Sequence, residues 1–394
     1  MVIGIDLISL SSKSRYQGIF SYSIGLVDGL LKQKKYKVII FCNKLVLDTL
    51  KKNIHHNFDY VIIENKKTFI HKLTNFILVC CGYLSIYPYK LYKISNDFFF
   101  KDIKKKLEKN CNILINPLVH LTVYNLKIPT ILNMHDIMQI DFPNFFTKYQ
   151  KSERNLSYNN SALHCSRLVA SSKFMLDKFN EYFKLKSKNK VSLIEEGVSL
   201  SEKKIKFIPK LTKKLPKSFL FYPAQLWPHK NHLFLIKAIA RFNKIYNYDI
   251  KLVLTGGKKN FHQNLKKIFI KNKSFVIYLG PVSRRFLCNI YHRSKAVIIP
   301  SLYESSSLVL YESIYFKKNI ILSDIKPFLE KKKQFKMFFF KNNNENNLIE
   351  VLHKFFIKNK KLSPNEIKFN YTKLKSNDWE TIAKKYITLI KNLL

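Results

Sequence analysis

Short apolar runs rich in Ile and Val alternate along this chain with longer segments of helical period. VIGIDLI at the start is followed by a helical stretch from Gly18 to Lys34, YKVIIFC by Lys44 to Asn53, and DYVIIE by a basic segment. The alternation continues through NILIN (112–116), PTILNM (129–134) and RLVASS (167–172). Runs of this kind read as strands buried on both faces, and helices between them read as crossovers, so the pattern predicts parallel sheets. Between Glu196 and Ser218 the pattern gives way to a lysine-rich stretch with two prolines, and it restarts at FLFYP (219–223). KLVLTGG (251–257), SFVIYLG (274–280), AVIIPS (296–301) and NIILSD (319–324) then follow, each before a segment able to form a helix.

The expectation is therefore an α/β protein of two Rossmann-like, doubly wound domains facing a central cleft. Its divisions are residues 1–200, a linker over 201–217, a second domain over 218–374, and a C-terminal helix over 375–394. That last helix places Ile382, Tyr386, Leu389 and Leu393 on one face. A length of 394 residues agrees with two domains. Doubly wound sheets bind ligands beyond the carboxyl ends of their strands, so the chemistry is sought in the loops there.

The richest such loop is Pro300-Ser-Leu-Tyr-Glu304-Ser-Ser-Ser-Leu-Val-Leu-Tyr-Glu312, which follows the strand AVII. The free N–H groups of a first helical turn suit an anion such as phosphate, and nearby carboxylates suit sugar hydroxyls. Taken alone, the two glutamates equally fit a helix cap at Glu304 and a solvated surface residue at Glu312. His135 ends a strand and reads either as a structural hydrogen-bonder or as a group reaching the ligand. His229 reads as a phosphate ligand or as a residue opening a helix, Asp136 as a residue that orients its turn, and Trp227 as core packing.

With its company in the chain, the glutamate segment resembles the E-x7-E region of family 4 retaining glycosyltransferases with the GT-B fold. The resemblance runs over most of the sequence in the family's order. Phe221-Tyr-Pro-Ala-Gln225-Leu-Trp-Pro-His-Lys230-Asn is similar to the segment that opens the donor domain, and LVLTGG and VIYLG are similar to its next strands. Met134-His135-Asp136-Ile137 resembles the family's His-Asp turn, and Gln17-Gly18-Ile19 its N-terminal glycine loop.

The resemblance implies an enzyme that moves a sugar from a nucleotide-sugar donor to a glycan or lipid-linked glycan, with retention and without a metal, in surface polysaccharide (O-antigen or capsule type) synthesis. It implies that Lys230 neutralises the donor diphosphate, that Glu312 holds the ribose diol, and that Glu304 touches the transferred sugar, with His135 beside it. Gln225, Ser306, Ser307 and Leu308 complete the donor contacts, and Gly18 lets the backbone approach the phosphates. The first domain, with its basic and aromatic insertion at about 66–109, would take the acceptor. The chain departs from the family pattern twice: Ser305-Ser306-Ser307 stands where glycines are usual, and Gln225 where an arginine is frequent. Those changes also fit a non-catalytic sugar-nucleotide- or glycan-binding homologue, and a sugar-nucleotide epimerase shares the fold.

No cofactor is expected, the nucleotide-sugar being a co-substrate. None of the twelve aspartates forms D-x-D, no histidine spacing suggests a metal site, and the fingerprints of P-loop NTPases, dinucleotide enzymes and serine hydrolases are absent. Composition changes the picture in one respect. The net charge of +44 comes from 63 lysines and only seven arginines. An anionic partner fits that charge, and the scarcity of arginine ranks a membrane surface above a nucleic acid.

The six scattered cysteines fit a reducing cytoplasm, and the N-terminus reads as a first strand rather than a signal peptide. The longest apolar stretch, Phe76 to Tyr89, is too short to span a bilayer and is broken by Gly82 and Pro88. Flanked by lysines and followed by Phe98–Phe100, it reads either as a segment resting among lipid headgroups or as a helix buried on its own domain. The expected location is cytoplasmic, peripheral at the inner face of the cell membrane.

Overall fold

The computed structural model describes residues 1–11, 18–54, 56–64, 69–84, 86–183, 190–198, 215–257 and 263–394. The expected linker at 201–217 lies mostly outside the described residues, as does Gln17 of the glycine loop. The chain divides into two compact units, one of Met1–Gly197 with Trp379–Leu394, the other of Val198–Asp378.

The first unit runs β1 (Val2–Leu7), α1 (Gly18–Leu31), β2 (Lys37–Cys42), α2 (Lys44–Asn53), β3 (Asp59–Ile62), α3 (Phe69–Cys81), α4 (Tyr89–Phe99), α5 (Lys101–Asn110), β4 (Ile113–Asn116) and β5 (Thr130–Asn133). It continues with α6 (Met138–Asp141), α7 (Lys148–His164), β6 (Arg167–Ala170), α8 (Lys173–Tyr182) and β7 (Val191–Leu193). Its strands form a seven-stranded sheet in the order β3-β2-β1-β4-β5-β6-β7. Every pairing is parallel. The order reverses direction between β1 and β4, which is the switch point of a doubly wound sheet. There Asp6, at the end of β1 and 1% exposed, accepts from the Ile8 N–H at 3.0 Å and from Asn116 Nδ2, at the end of β4, at 2.9 Å. Burial raises its carboxyl above the usual range, against the opposing pull of these donors.

The second unit holds β8 (Leu220–Pro223), α9 (His232–Tyr246), β9 (Leu252–Thr255), α10 (Gln263–Lys271), β10 (Val276–Tyr278), α11 (Arg284–Arg293), β11 (Ala296–Ile299), α12 (Leu308–Tyr315) and β12 (Asn319–Ser323). It ends with α13 (Lys326–Glu330), β13 (Phe338–Phe340), α14 (Glu345–Phe356) and α15 (Pro364–Leu374). Its six strands take the order β10-β9-β8-β11-β12-β13, again all parallel, with the switch point between β8 and β11. The central strands are buried on both faces, as the uninterrupted apolar runs predict.

The last helix, α16 (Trp379–Lys391), belongs to the first unit, where it packs along α1. Two glycines of α1 allow that approach. A Cβ at Gly25 would stand 2.1 Å from the Trp379 ring, and one at Gly29 2.2 Å from the Trp379 carbonyl oxygen. Tyr386 of α16 meets Tyr22 of α1, hydroxyl to hydroxyl, at 2.8 Å, and Asn133 Nδ2 donates to both hydroxyls. This polar knot is buried, and burial holds both phenols well above their ordinary range.

Candidate functional site

The carboxyl ends of β8 and β11 bring together residues far apart in the chain. After β8, the backbone passes through Ala224 and Gln225 into a 3₁₀ turn, Pro228–Lys230. Asn231 closes that turn in the left-handed conformation (φ 55°), which asparagine tolerates better than most residues, and α9 begins at the next residue. Lys230 is thereby presented to Glu304, its Nζ 2.6 Å from Oε1, with side chains only 17% and 10% exposed. Ser301 Oγ donates to the same Glu304 oxygen at 2.6 Å, and the Tyr222 hydroxyl lies 3.1 Å from Ser301 Oγ while donating to the Lys230 carbonyl. Glu304 is thus the centre of a pair and not a helix cap; the cap of α12 is Ser307, whose side chain accepts from the Leu310 N–H.

At the head of α12, Ser306 is buried with its hydroxyl lacking a protein partner, and Leu308 opens the helix. One turn further on, Glu312 is not solvated. Its side chain is 14% exposed and accepts from Arg284 at 2.6 Å and from the Tyr291 hydroxyl at 2.8 Å. Gln225 points elsewhere: its Oε1 accepts from the Gly257 N–H at 2.8 Å and pins the turn after β9. Gly256 takes φ +123° in that turn, and a Cβ there would stand 2.2 Å from the Ala224 carbonyl oxygen, so the position admits glycine alone.

His229 is buried in the 3₁₀ turn, its ring 5.5 Å from that of Trp227, and its carbonyl accepts from the Leu302 N–H at 2.8 Å. Beside it, His232 is 3% exposed, lies 4.8 Å ring to ring from Tyr222, and has neither ring nitrogen hydrogen-bonded. Burial first, and the charge of Lys230 second, lower its pKa to about 3.

In the first unit, His135 follows β5. Its Nε2 lies 2.9 Å from the Pro117 carbonyl oxygen, which accepts only from a protonated nitrogen, leaving Nδ1 as the acceptor of the neutral ring. Burial lowers the His135 pKa below its ordinary value; the Pro117 bond and Asp136 oppose that shift. Asp136 orients the turn by accepting from the Met138 N–H at 3.0 Å and from Arg154. Arg154 in turn lies between the rings of Phe146 and Tyr158, 4.8 and 4.7 Å away. Gly18 opens α1.

Arg154, Tyr158 and Ser157 form one wall of a cavity of about 350 Å³. Its other walls come from the loop after β4 (Val119–Thr122), from Ser9 and from the inner sides of α3 and α4. Among the described residues no group of three His, Cys, Asp or Glu side chains is placed to hold a metal ion.

The residues Gly18, His135, Gln225, Lys230, Glu304, Ser306, Ser307, Leu308 and Glu312 thus divide between the units. Those of the second unit cluster at its switch point, except that Gln225 faces the β9 turn. Sequence reasoning passed over Arg284, Tyr291, Ser301, Tyr222 and Arg154. Arginine rarity is a usable signal, since only seven of the 70 basic residues are arginine and two of those, Arg284 and Arg154, bind the carboxylates of Glu312 and Asp136.

Two doubly wound parallel sheets, the second with a lysine, carboxylates and a helix head at its switch point, define a two-sheet α/β protein. Residues 203–373, nearly all of the second unit, match the family described as Glycosyl transferases group 1. Over those residues the chain is similar to that family, and its two sheets match the GT-B fold. It is 25% identical over 213 residues to the O-antigen chain mannosyltransferase RfbU of Salmonella typhimurium, a match covering 54% of this chain and 56% of that protein. The alignment therefore spans little more than half of that relative. Among solved structures, a glycosyltransferase from Rickettsia africae superposes with a TM-score of 0.67 at 17% identity, covering 100% of this chain and 98% of the other. Anabaena HepE, solved in complex with UDP and glucose, superposes with a TM-score of 0.71 at 14% identity, covering 100% of both chains.

Proposed function

We propose that this protein transfers a sugar from a nucleotide-sugar donor to a glycan or lipid-linked glycan, with retention and without a catalytic metal. The observation that carries the reading is the Lys230–Glu304–Ser301 constellation beside the head of α12, at the switch point of the second unit's sheet. A departing nucleoside diphosphate gains negative charge in the transition state. Lys230 and the N–H groups at the start of α12 stabilise that charge, with the buried Ser306 hydroxyl and Ser307 as further donors.

On this reading Lys230 exchanges Glu304 for the diphosphate when the donor binds, and Glu304 is released toward the transferred sugar. Glu312, held by Arg284 and Tyr291, presents its carboxylate to the vicinal hydroxyls of the ribose. Retention then follows from same-face attack, in which the leaving phosphate takes the acceptor proton; Glu304 forms no covalent sugar adduct. Gln225 acts through the Gly256-Gly257 turn as a positioning residue.

The acceptor falls to the first unit. Its cavity has the size of a small ligand pocket and a lining of aromatic and polar groups, Glu153 and Arg154 among them, suited to a sugar. His135 Nδ1 is one hydrogen-bond acceptor offered by that unit, and Gly18 a point of close backbone approach. The match to RfbU supports an O-antigen type of surface polysaccharide as product, and the HepE complex supports a uridine nucleotide as a first candidate donor. A cytoplasmic protein working at the inner face of the membrane fits such an acceptor.

The test is a thermal-shift panel of UDP, GDP, CMP, ADP and dTDP with their sugar conjugates, on the wild type and on Lys230→Ala and Glu312→Ala. A shift with one nucleotide, lost in both variants, is the expected result. No shift with any nucleotide in the folded protein would sink the donor assignment, and donor binding without turnover would leave a non-catalytic homologue.

A further inference from the structure

The helices α3 and α4 are amphipathic in the wrong sense for a soluble protein. Toward the cavity they turn polar or amphipathic groups: His71 and Asn75 from α3, Tyr92, Ser95 and Asn96 from α4. To the outside α3 turns Phe69, Ile70, Leu73, Phe76 and Ile77, which are between 47% and 77% exposed. From α4, Leu91, Ile94 and Phe98 are 59%, 61% and 75% exposed, and α4 buries no side chain at all. Tyr83, Leu84 and Ile86 continue the apolar surface between the helices. Isolated exposed hydrophobics are ordinary, but a dense group of this kind marks an interaction surface. The hairpin is nevertheless firmly mounted: Ser152 of α7 donates to the Val79 carbonyl at 2.5 Å, Asn155 to the Tyr87 hydroxyl at 3.2 Å, and Asn96 to the Thr122 carbonyl at 3.2 Å.

We propose that the α3–α4 hairpin docks the protein on an anionic lipid surface, its apolar flank seated at headgroup depth. Charge selects this occupant. Residues 69–110 carry eight lysines and three acids, and Lys72, Lys90, Lys101, Lys105, Lys106 and Lys109 are exposed. Such a rim attracts anionic headgroups while its aliphatic stems cover the boundary of the apolar patch. A second copy of this chain seated on the same face would bring two lysine rims together, which disfavours it.

Length selects the mode. With 13 residues, α3 is about 20 Å long, short of the roughly 30 Å hydrocarbon core. No helix among the described residues is long and apolar enough to cross a membrane. The hairpin therefore lies in the interface instead of spanning it. This deepens the lipid-linked-acceptor reading above, and its test involves no sugar transfer, so either can fail alone.

The experiment is flotation of the full chain with phosphatidylcholine vesicles, with and without phosphatidylglycerol, at low and near-physiological salt. The variant is Ile70→Ser/Leu91→Ser/Phe98→Ser, which changes no charge and replaces side chains already facing solvent. The wild type should float with the anionic vesicles and retain part of that binding as salt rises. The variant should lose about a hundredfold in partition coefficient, with an unchanged melting temperature. Equal flotation of variant and wild type would mean that net charge alone holds the protein, and would overturn the proposal. So would a wild type that ignores anionic vesicles, or one that is a dimer which the variant converts to monomer.

Discussion

Replacing Lys230 with methionine keeps the aliphatic stem and removes the cation that stands 2.6 Å from Glu304. At that separation the attraction is about 6 kcal/mol with an effective dielectric of about 20, an upper value before desolvation is counted. Losing one partner of a buried pair costs about 3–5 kcal/mol, because the other charge is left in a poor solvent. Ser301 still donates to Glu304, and both side chains keep some contact with water, at 17% and 10% exposure, so the low end, about 3 kcal/mol, is expected. Changing Glu304 to glutamine in the same background removes the stranded charge and should recover about 2 kcal/mol; the coupling energy of the double-mutant cycle is that recovery plus the cost of Glu304→Gln alone. The two tryptophans make the assay clean: Trp379 lies in the first unit and Trp227 in the second. In a Trp379→Phe background, urea unfolding followed by Trp227 fluorescence reports the second unit. A Lys230→Met cost below about 1 kcal/mol, or simple additivity of the two changes, would refute a buried pair held in this geometry.

Four further outcomes are expected. His232 has a folded pKa of about 3, below its unfolded value, so the unfolded state binds the extra proton and stability must fall as pH falls through 6.5 toward 3. At pH 5 the second unit should have lost about 2 kcal/mol relative to pH 7, and His232→Phe should remove that part of the slope in urea titrations at both pH values. Gly25→Ala drives a methyl into the Trp379 ring and should destabilise the first unit by roughly 2 kcal/mol despite alanine's better helix propensity, read from Trp379 fluorescence melts. Tyr386→Phe removes one hydroxyl from the knot with Tyr22 and Asn133 and should cost the first unit about 1–2 kcal/mol in the same melts. Gly256→Ala combines a left-handed backbone with a 2.2 Å clash and should lose several kcal/mol, seen as a fall in the urea midpoint of the second unit.

The sequence alone determined the strands and the class of architecture, because a parallel strand buried on both faces must be written as a continuous apolar run. VIGIDL, KVIIFC, AVII and NIILS could hardly be anything else, and each is a strand here. It also marked the loop from Pro300 to Glu312, since polar residues at the end of such a strand sit where ligands bind. Tertiary structure decided the partners. Lys230 meets Glu304 across 74 residues and Arg284 meets Glu312 across 28, and no local period encodes pairings at such separations. It decided that α16 returns to α1, where two glycines make room for Trp379. It decided, finally, which way the apolar faces of α3 and α4 turn. An amphipathic segment has the same spacing whether it covers a core or faces a lipid surface, and only the packing of the neighbouring elements distinguishes them.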